Sequence, residues 1–222
     1  MAATLFDYNG VLVDDEYVHL AAFRDVLGPL GVTVTDRDYA ERYLGCDDAG
    51  AFRAILADCG RSVNDETIRE LIGKKKPRYR ARAEASLAVF EGAAELVRAC
   101  AAAGPVGIVS GALRDEITFG LERMGVTDDI AFVVSAEDVL RGKPDPEGYN
   151  AAIARLGAER ALSAGVVEDS LAGIRSAKSA GLVCVAVAHS YPRAELLAAG
   201  ADLVQEHVRD VTVEALTRFW AR

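Results

Sequence analysis

Six short apolar runs recur along the chain with helix-length segments between them, and this alternation restricts the fold more than any other feature. The runs are Ala3-Thr4-Leu5-Phe6, Val106-Gly107-Ile108-Val109, Ile130-Ala131-Phe132-Val133-Val134, Ala164-Gly165-Val166-Val167, Val183-Cys184-Val185-Ala186-Val187 and a weaker Leu203-Val204. They are short and mostly β-branched, as strands buried on both faces are. Between them, Ala93 to Ala103, Leu113 to Met124, Glu147 to Leu156 and Leu171 to Ala180 read as helices. Parallel neighbours need a crossover, and crossovers are right-handed, so the alternation predicts an α/β core: a Rossmann-like parallel sheet with helices on both faces. Ligands of such sheets bind beyond the carboxyl ends of the strands. Asp7, Ser110 and the pair Glu168-Asp169 all fall there.

Residues 16–83 break the pattern. They show helical periodicity without a convincing strand; Ile68, Leu71, Ile72 and Tyr79 fall near one stripe. Thr35 and Asn64 stand where helix N-caps are expected, with acids in the following turn, and Gly28-Pro29 and Gly60 punctuate the segment. The reading is an all-helical domain of about four helices inserted after the first strand, with the core formed by residues 1–15 and 84–222. Two connections at one insertion point permit hinge closure over a site.

Composition narrows the function. Although 51% of residues are apolar, no run approaches the roughly 20 residues that cross a bilayer. Met1-Ala2-Ala3 leads directly into a strand without a signal-like segment, and the expected location is cytoplasmic. Cys46, Cys59, Cys100 and Cys184 lack any paired spacing and read as reduced thiols. A net charge of -9 argues against nucleic acid as partner, since neutralising phosphates needs a basic surface. A small-molecule substrate is favoured; the sequence does not specify an oligomeric state.

Four segments carry the chemistry: Phe6-Asp7-Tyr8-Asn9-Gly10-Val11-Leu12-Val13-Asp14, Ile108-Val109-Ser110-Gly111, Gly142-Lys143-Pro144-Asp145-Pro146 and Val167-Glu168-Asp169-Ser170. Taken singly, each has a bland reading: a turn acid, a loop turn, a solvated lysine. Together they fit phosphoryl transfer. A carboxylate nucleophile needs a cation to offset phosphate repulsion, and Asp7 with Glu168 and Asp169 makes a hard oxygen set suited to Mg2+. Gly10 permits a tight turn in which the amides of Tyr8 and Asn9 face phosphate oxygens. Ser110 and the Gly111 amide add donors, and Lys143 adds positive charge.

In this order the segments resemble the four motifs of the haloacid dehalogenase-like (HAD) superfamily. The stretches Lys143-Pro144-Asp145-Pro146 and Glu168-Asp169-Ser170-Leu171-Ala172-Gly173-Ile174 are similar to the branch containing β-phosphoglucomutase and phosphoglycolate phosphatase, whose helical cap follows the first motif. The resemblance implies a Mg2+-dependent phosphatase acting on a small phosphorylated metabolite, with Asp7 as nucleophile. It implies metal held by Asp7, the Asn9 backbone carbonyl and Glu168 or Asp169, and phosphate held by Ser110, Gly111 and Lys143.

The departure is Asn9. The family's phosphatases and mutases carry an aspartate there that protonates the leaving group, and an amide cannot transfer that proton. A positioned acid contributes about 10²–10⁴-fold, so alkyl phosphates should turn over slowly, whereas acyl or aryl phosphates need no such proton. A non-hydrolytic metabolite- or protein-binding role and a phosphomutase-like or other HAD reaction are the alternative readings. Against the best-known of the last group, Tyr43 stands where phosphonate-cleaving relatives have a Schiff-base lysine, and Leu44 precedes Gly45 where the sugar mutase has a lysine. Deamidation at Asn9-Gly10 would restore an aspartate in ageing molecules.

The remaining residues weigh less. Lys74, Lys75, Lys76, Arg78, Arg80 and Arg82 read as a solvated face or as a phosphate-steering rim, which charge reversal at Lys76 would test. His19 reads as structural or as an auxiliary proton shuttle. Cap residues around Gly45 would touch substrate. His189 and His207 show no partner pattern, and Trp220 with Phe219 and Leu216 reads as an apolar anchor.

Overall fold

The computed structural model describes residues 3–157 and 163–218, which fall into two compact units: a sheet unit, up to Asp14 and from Val89 on, and a helical unit, Asp15–Ala88. The chain opens with β1 (Ala3–Phe6) and enters the helical unit, built from α1 (Glu16–Leu27), α2 (Asp48–Asp58) and α3 (Asp65–Ser86) with short turns between them. Back in the sheet unit come α4 (Ala93–Ala103), β2 (Val106–Val109), α5 (Arg114–Met124), β3 (Phe132–Val134) and α6 (Glu147–Leu156). Then follow β4 (Ala164–Glu168), α7 (Leu171–Ser179), β5 (Val183–Val187), α8 (Arg193–Ala199), β6 (Leu203–Gln205) and α9 (Val213–Arg218).

The six labelled strands form one parallel sheet in the order β3-β2-β1-β4-β5-β6. Central β1 pairs with β2 on one side, Phe6 opposite Ile108, and with β4 on the other, Phe6 opposite Val167. The chain steps outward from β1 to β3, then crosses back to β4, so the strand order reverses at β1. In open α/β sheets, ligands bind at such a switch point, beyond the carboxyl ends of the strands. Register brings the acids together there: one step past Phe6, Asp7 stands level with Val109 and Glu168.

Alternate side chains of the central strands build the core. Leu5, Val109, Val166 and Cys184 pack with Tyr149, Ala152, Ile174 and Ala177 from α6 and α7, all buried. A fully buried aliphatic side chain contributes about 1.5–3 kcal/mol, so this face supplies much of the unit's stability. The helical unit has its own core of Phe23, Leu27, Val34, Phe52, Ile55, Ile68 and Leu71. Phe23 meets Phe52 edge-on, ring centroids 4.8 Å apart. Asn64 caps α3 by accepting the Thr67 amide at 2.9 Å, and Thr35 accepts the Asp38 amide at 3.0 Å.

Some boundaries move from the sequence reading. The insert was placed at 16–83, but α3 runs on to Ser86. The run from Ile130 to Val134 is strand only from Phe132, because the 3-10 turn Thr127–Asp129 still holds the Ile130 amide at Thr127 O, 3.3 Å. Two-residue strands at Val13–Asp14 and Ala88–Val89 were not anticipated; they are too short to leave a period. Leu216 is buried in α9, whereas Phe219 and Trp220 lie outside the described residues. All four cysteines are free, and among the described residues no helix is long and apolar enough to cross a membrane.

Candidate active site

Three carboxylates converge at the switch point: Asp7, Glu168 and Asp169 each place a ligand atom within 4.8 Å of the others, and all three are buried. Lys143 reaches between two of them from the loop before α6. Its Nζ stands 2.8 Å from Asp7 Oδ1 and 2.6 Å from Glu168 Oε1. Burial alone would lower the lysine, but the two carboxylates outweigh it and hold the ammonium above its ordinary range. Asp7 is raised from 3.8 to about 6 overall: burial is the largest cause, Lys143 and the Tyr8 amide pull it down, and Glu168 pushes it up.

The two acids of the pair are used differently. Glu168, 0% exposed, is a hub of accepted hydrogen bonds. Its Oε1 takes Lys143 at 2.6 Å and the Tyr149 hydroxyl at 3.2 Å; its Oε2 takes the amides of Asp169 and Ser170 and the Ser170 hydroxyl, each at 3.0 Å. A Cβ on Gly173 would overlap this carboxylate, so the first turn of α7 needs glycine there. Asp169 lies against Gly10, and its Oδ2 accepts the Ser190 hydroxyl.

Asp7 Oδ1 is the open position. Lys143 is close, but off the hydrogen-bond directions, and the oxygen is buried with no hydrogen-bond partner. A buried carboxylate oxygen without a directed hydrogen bond costs about 1–3 kcal/mol, which the Lys143 ammonium at 2.8 Å offsets in part. The neighbouring acids outnumber Lys143, so the cluster fits a hard divalent cation with oxygen ligands.

The other sequence candidates divide. Asn9 Oδ1 accepts the Ser110 hydroxyl at 3.2 Å, and Ser110 Oγ also takes the Ala112 amide at 3.1 Å, which brings the second segment against the first. Gly10 adopts φ +73°, and its amide donates to Val13 O at 2.9 Å. That bond ties up the nitrogen that deamidation of Asn9 requires. The Tyr8 ring is fully buried, its hydroxyl on Glu116 O at 3.1 Å, so only its backbone is at this edge. Gly111 lies in the half-buried loop after Ser110. His19, Gly45 and Lys76 belong to the helical unit.

Inside that unit lies a polar cluster whose central member sequence reasoning placed on the surface. Lys75 is 0% exposed; its Nζ contacts His19 Nδ1 at 2.6 Å and Asp48 Oδ1 at 2.5 Å and faces the Phe23 ring at 4.5 Å. His19 Nε2 is 3.2 Å from Asp15, which also accepts the Tyr79 hydroxyl at 2.5 Å. The signal was present: Ile68, Leu71, Lys75, Tyr79 and Ala83 form one buried stripe of α3. In the sheet unit Tyr149, His189 and Ser190 were also missed. His189 bonds Gly10 O from 179 residues away, and no local pattern announces that.

Residues 4–187 match the haloacid dehalogenase-like hydrolase family, and the chain belongs to it. It is 32% identical over 209 residues to validoxylamine A 7'-phosphate phosphatase of Streptomyces hygroscopicus subsp. limoneus, covering 93% of this chain and 94% of that protein. It is 28% identical over 227 residues to β-phosphoglucomutase of Bacillus subtilis, covering 99% and 96%. The solved structure of CbbY from Rhodobacter sphaeroides in complex with phosphate matches with a TM-score of 0.83 at 25% identity, covering 98% of this chain and 99% of that one.

Proposed function

We propose, with membership of the haloacid dehalogenase-like hydrolases as premise, that this protein is a Mg2+-dependent phosphatase of a small phosphorylated metabolite, working through a phosphorylated Asp7. The observation that carries the reading is the buried cluster of Asp7, Glu168 and Asp169 at the switch point, with Lys143 against Asp7. Similarity to a phosphatase and to a phosphomutase supports phosphoryl chemistry.

Asp7, the Asn9 carbonyl and Asp169, with Glu168 behind them, are the groups we assign to Mg2+, which when bound would offset charge on the phosphoryl oxygens. Asp7 attacks phosphorus: an O–P bond to the carboxylate forms as the bond to the leaving group breaks, and the leaving oxygen takes the electron pair. Lys143, the Ser110 hydroxyl and the Gly111 amide hold the phosphoryl oxygens, and water then cleaves the aspartyl phosphate. Asn9 supplies no proton to the departing oxygen, so turnover on alkyl esters is attenuated by about 10²–10⁴-fold. The same residue favours a second reading, in which the site binds phosphorylated ligands without turning them over.

The test is a panel of acetyl phosphate, p-nitrophenyl phosphate and glycerol phosphate with Mg2+, on wild type, Asp7→Ala and Asn9→Asp. Wild type should prefer the first two substrates, Asp7→Ala should be inactive on all, and Asn9→Asp should gain on the alkyl ester. Tight phosphate-ester binding without turnover in wild type and Asn9→Asp alike would favour the binding role instead.

A further inference from the structure

Beyond β5 the chain presents two adjacent polar side chains to two different catalytic loops. Ala188 opens the turn after β5, its amide donating to Gln205 O at 2.9 Å, and His189 and Ser190 follow. His189 Nδ1 stands 2.7 Å from Gly10 O, and its Nε2 is 3.3 Å from the Val208 amide. One tautomer satisfies both contacts: Nδ1–H donates to Gly10 O while Nε2 accepts from Val208. The ring is held flat by Phe90, centroids 4.0 Å apart at 21°, and Phe90 in turn donates its amide to Leu12 O at 3.1 Å. Ser190 donates its hydroxyl to Asp169 Oδ2.

These contacts converge on one place, because Gly10 and Asp169 are themselves packed together: a Cβ on Gly10 would overlap the Asp169 carboxylate. The loop after Asp7 and the loop after Glu168 thus touch at Gly10 and Asp169, and a single dipeptide from a third strand grips both. Neither grip belongs to the sheet ladder or to a helix.

We infer that His189 and Ser190 are positioning residues, a clip that sets the spacing of the Asp7–Asn9 loop against Asp169 and thereby the affinity of this sheet edge for a divalent cation. The inference rests on the metal assignment above. The clip holds the rotation of the Asp169 carboxylate through Ser190 and the depth of the Asn9–Gly10 turn through His189. Partners of this kind behind a ligand set typically change metal affinity by about 10–100-fold when removed.

The probe is Mn2+ alone, bound to EDTA-treated full-length protein and followed by loss of the free-ion electron paramagnetic resonance signal. Ser190→Ala and His189→Phe should each weaken Mn2+ binding about 10-fold or more. Ser190→Thr, which keeps the hydroxyl, and His189→Asn, whose amide nitrogen can take the place of Nδ1, should recover most of it. Melting of the metal-free Ser190→Ala protein should match wild type. Wild-type Mn2+ affinity in both Ser190→Ala and His189→Phe overturns the clip while leaving the metal assignment standing. Losses that merely follow a lower metal-free melting temperature, without rescue by the conservative variants, overturn it too. No Mn2+ binding by wild type removes the metal assignment itself, and the clip with it.

Discussion

Replacing Asp7 by asparagine should abolish phosphoryl transfer and stabilise the metal-free protein. Asp7 is 7% exposed, and its carboxyl titrates near 6 when folded against 3.8 unfolded. The folded state therefore binds that proton more tightly. The sign follows: the contribution of Asp7 to folding is most favourable below about pH 3.8, falls as pH rises through the window from 3.8 to about 6, and stays at the lower value above it. A shift of about two units corresponds to roughly 3 kcal/mol at neutral pH. Asparagine has the shape of the protonated acid and carries no such cost, and Lys143 keeps its contact with Glu168. Urea unfolding of EDTA-treated protein should show Asp7→Asn more stable by about 3 kcal/mol near pH 7.5 and by only about 1 kcal/mol near pH 4.5. Saturating Mg2+ should raise wild type and not the variant, closing the gap. A gap independent of pH, or none at neutral pH, would refute the burial argument.

Other perturbations separate the parts of the site. Glu168→Gln should cost about 3 kcal/mol or more in urea unfolding, because either orientation of the amide sets its NH2 against Lys143 or against the Asp169 and Ser170 amides; Asp169→Asn should cost far less but weaken metal binding more. Gly173→Ala drives a methyl into the Glu168 carboxylate and should lower the unfolding midpoint by an amount worth about 1–3 kcal/mol. Lys75→Met leaves Asp48 and His19 without their shared cation and should cost about 3–5 kcal/mol, which a denaturation titration would register. Lys76→Glu should raise KM for a phosphate ester several-fold with kcat unchanged if that side chain steers substrate; an unchanged KM retires the rim.

The fold was legible where burial leaves a simple trace. β1, β2, β5, α4 and α6 begin and end where the apolar runs and helical spacing put them. Sheet order was open to reasoning only as a class, since pairing of β1 with β2 and β4 joins residues about 100 and 160 apart in sequence. At the site, residue types in order along the chain located the three carboxylates and Lys143. Their division of labour was hidden, because the saturation of Glu168 depends on Tyr149 from α6 and on the first turn of α7. Lys75 was misread for a different reason. Its charge argues for solvent more strongly than its place on the α3 stripe argues for burial, and only the facing Asp48 and His19 reverse that balance.

The charges around Asp7 also bear on which substrates suit the site. A group that hands a proton to a leaving oxygen near neutral pH must titrate near there. Lys143 stays charged, because Asp7 and Glu168 both hold its proton, and Tyr149 keeps its own, because burial and then Glu168 raise it well above its usual range. Glu168 is already an acceptor on both oxygens, and Asp7 is the group we assign to attack. Asn9 carries an amide where a proton is needed, its oxygen already taken by Ser110. Lys143, Tyr149 and Glu168 are thus committed to holding charge and geometry around Asp7. A leaving group that departs as a stable anion asks for nothing more, which is why the expectation falls on acyl and aryl phosphates before alkyl ones.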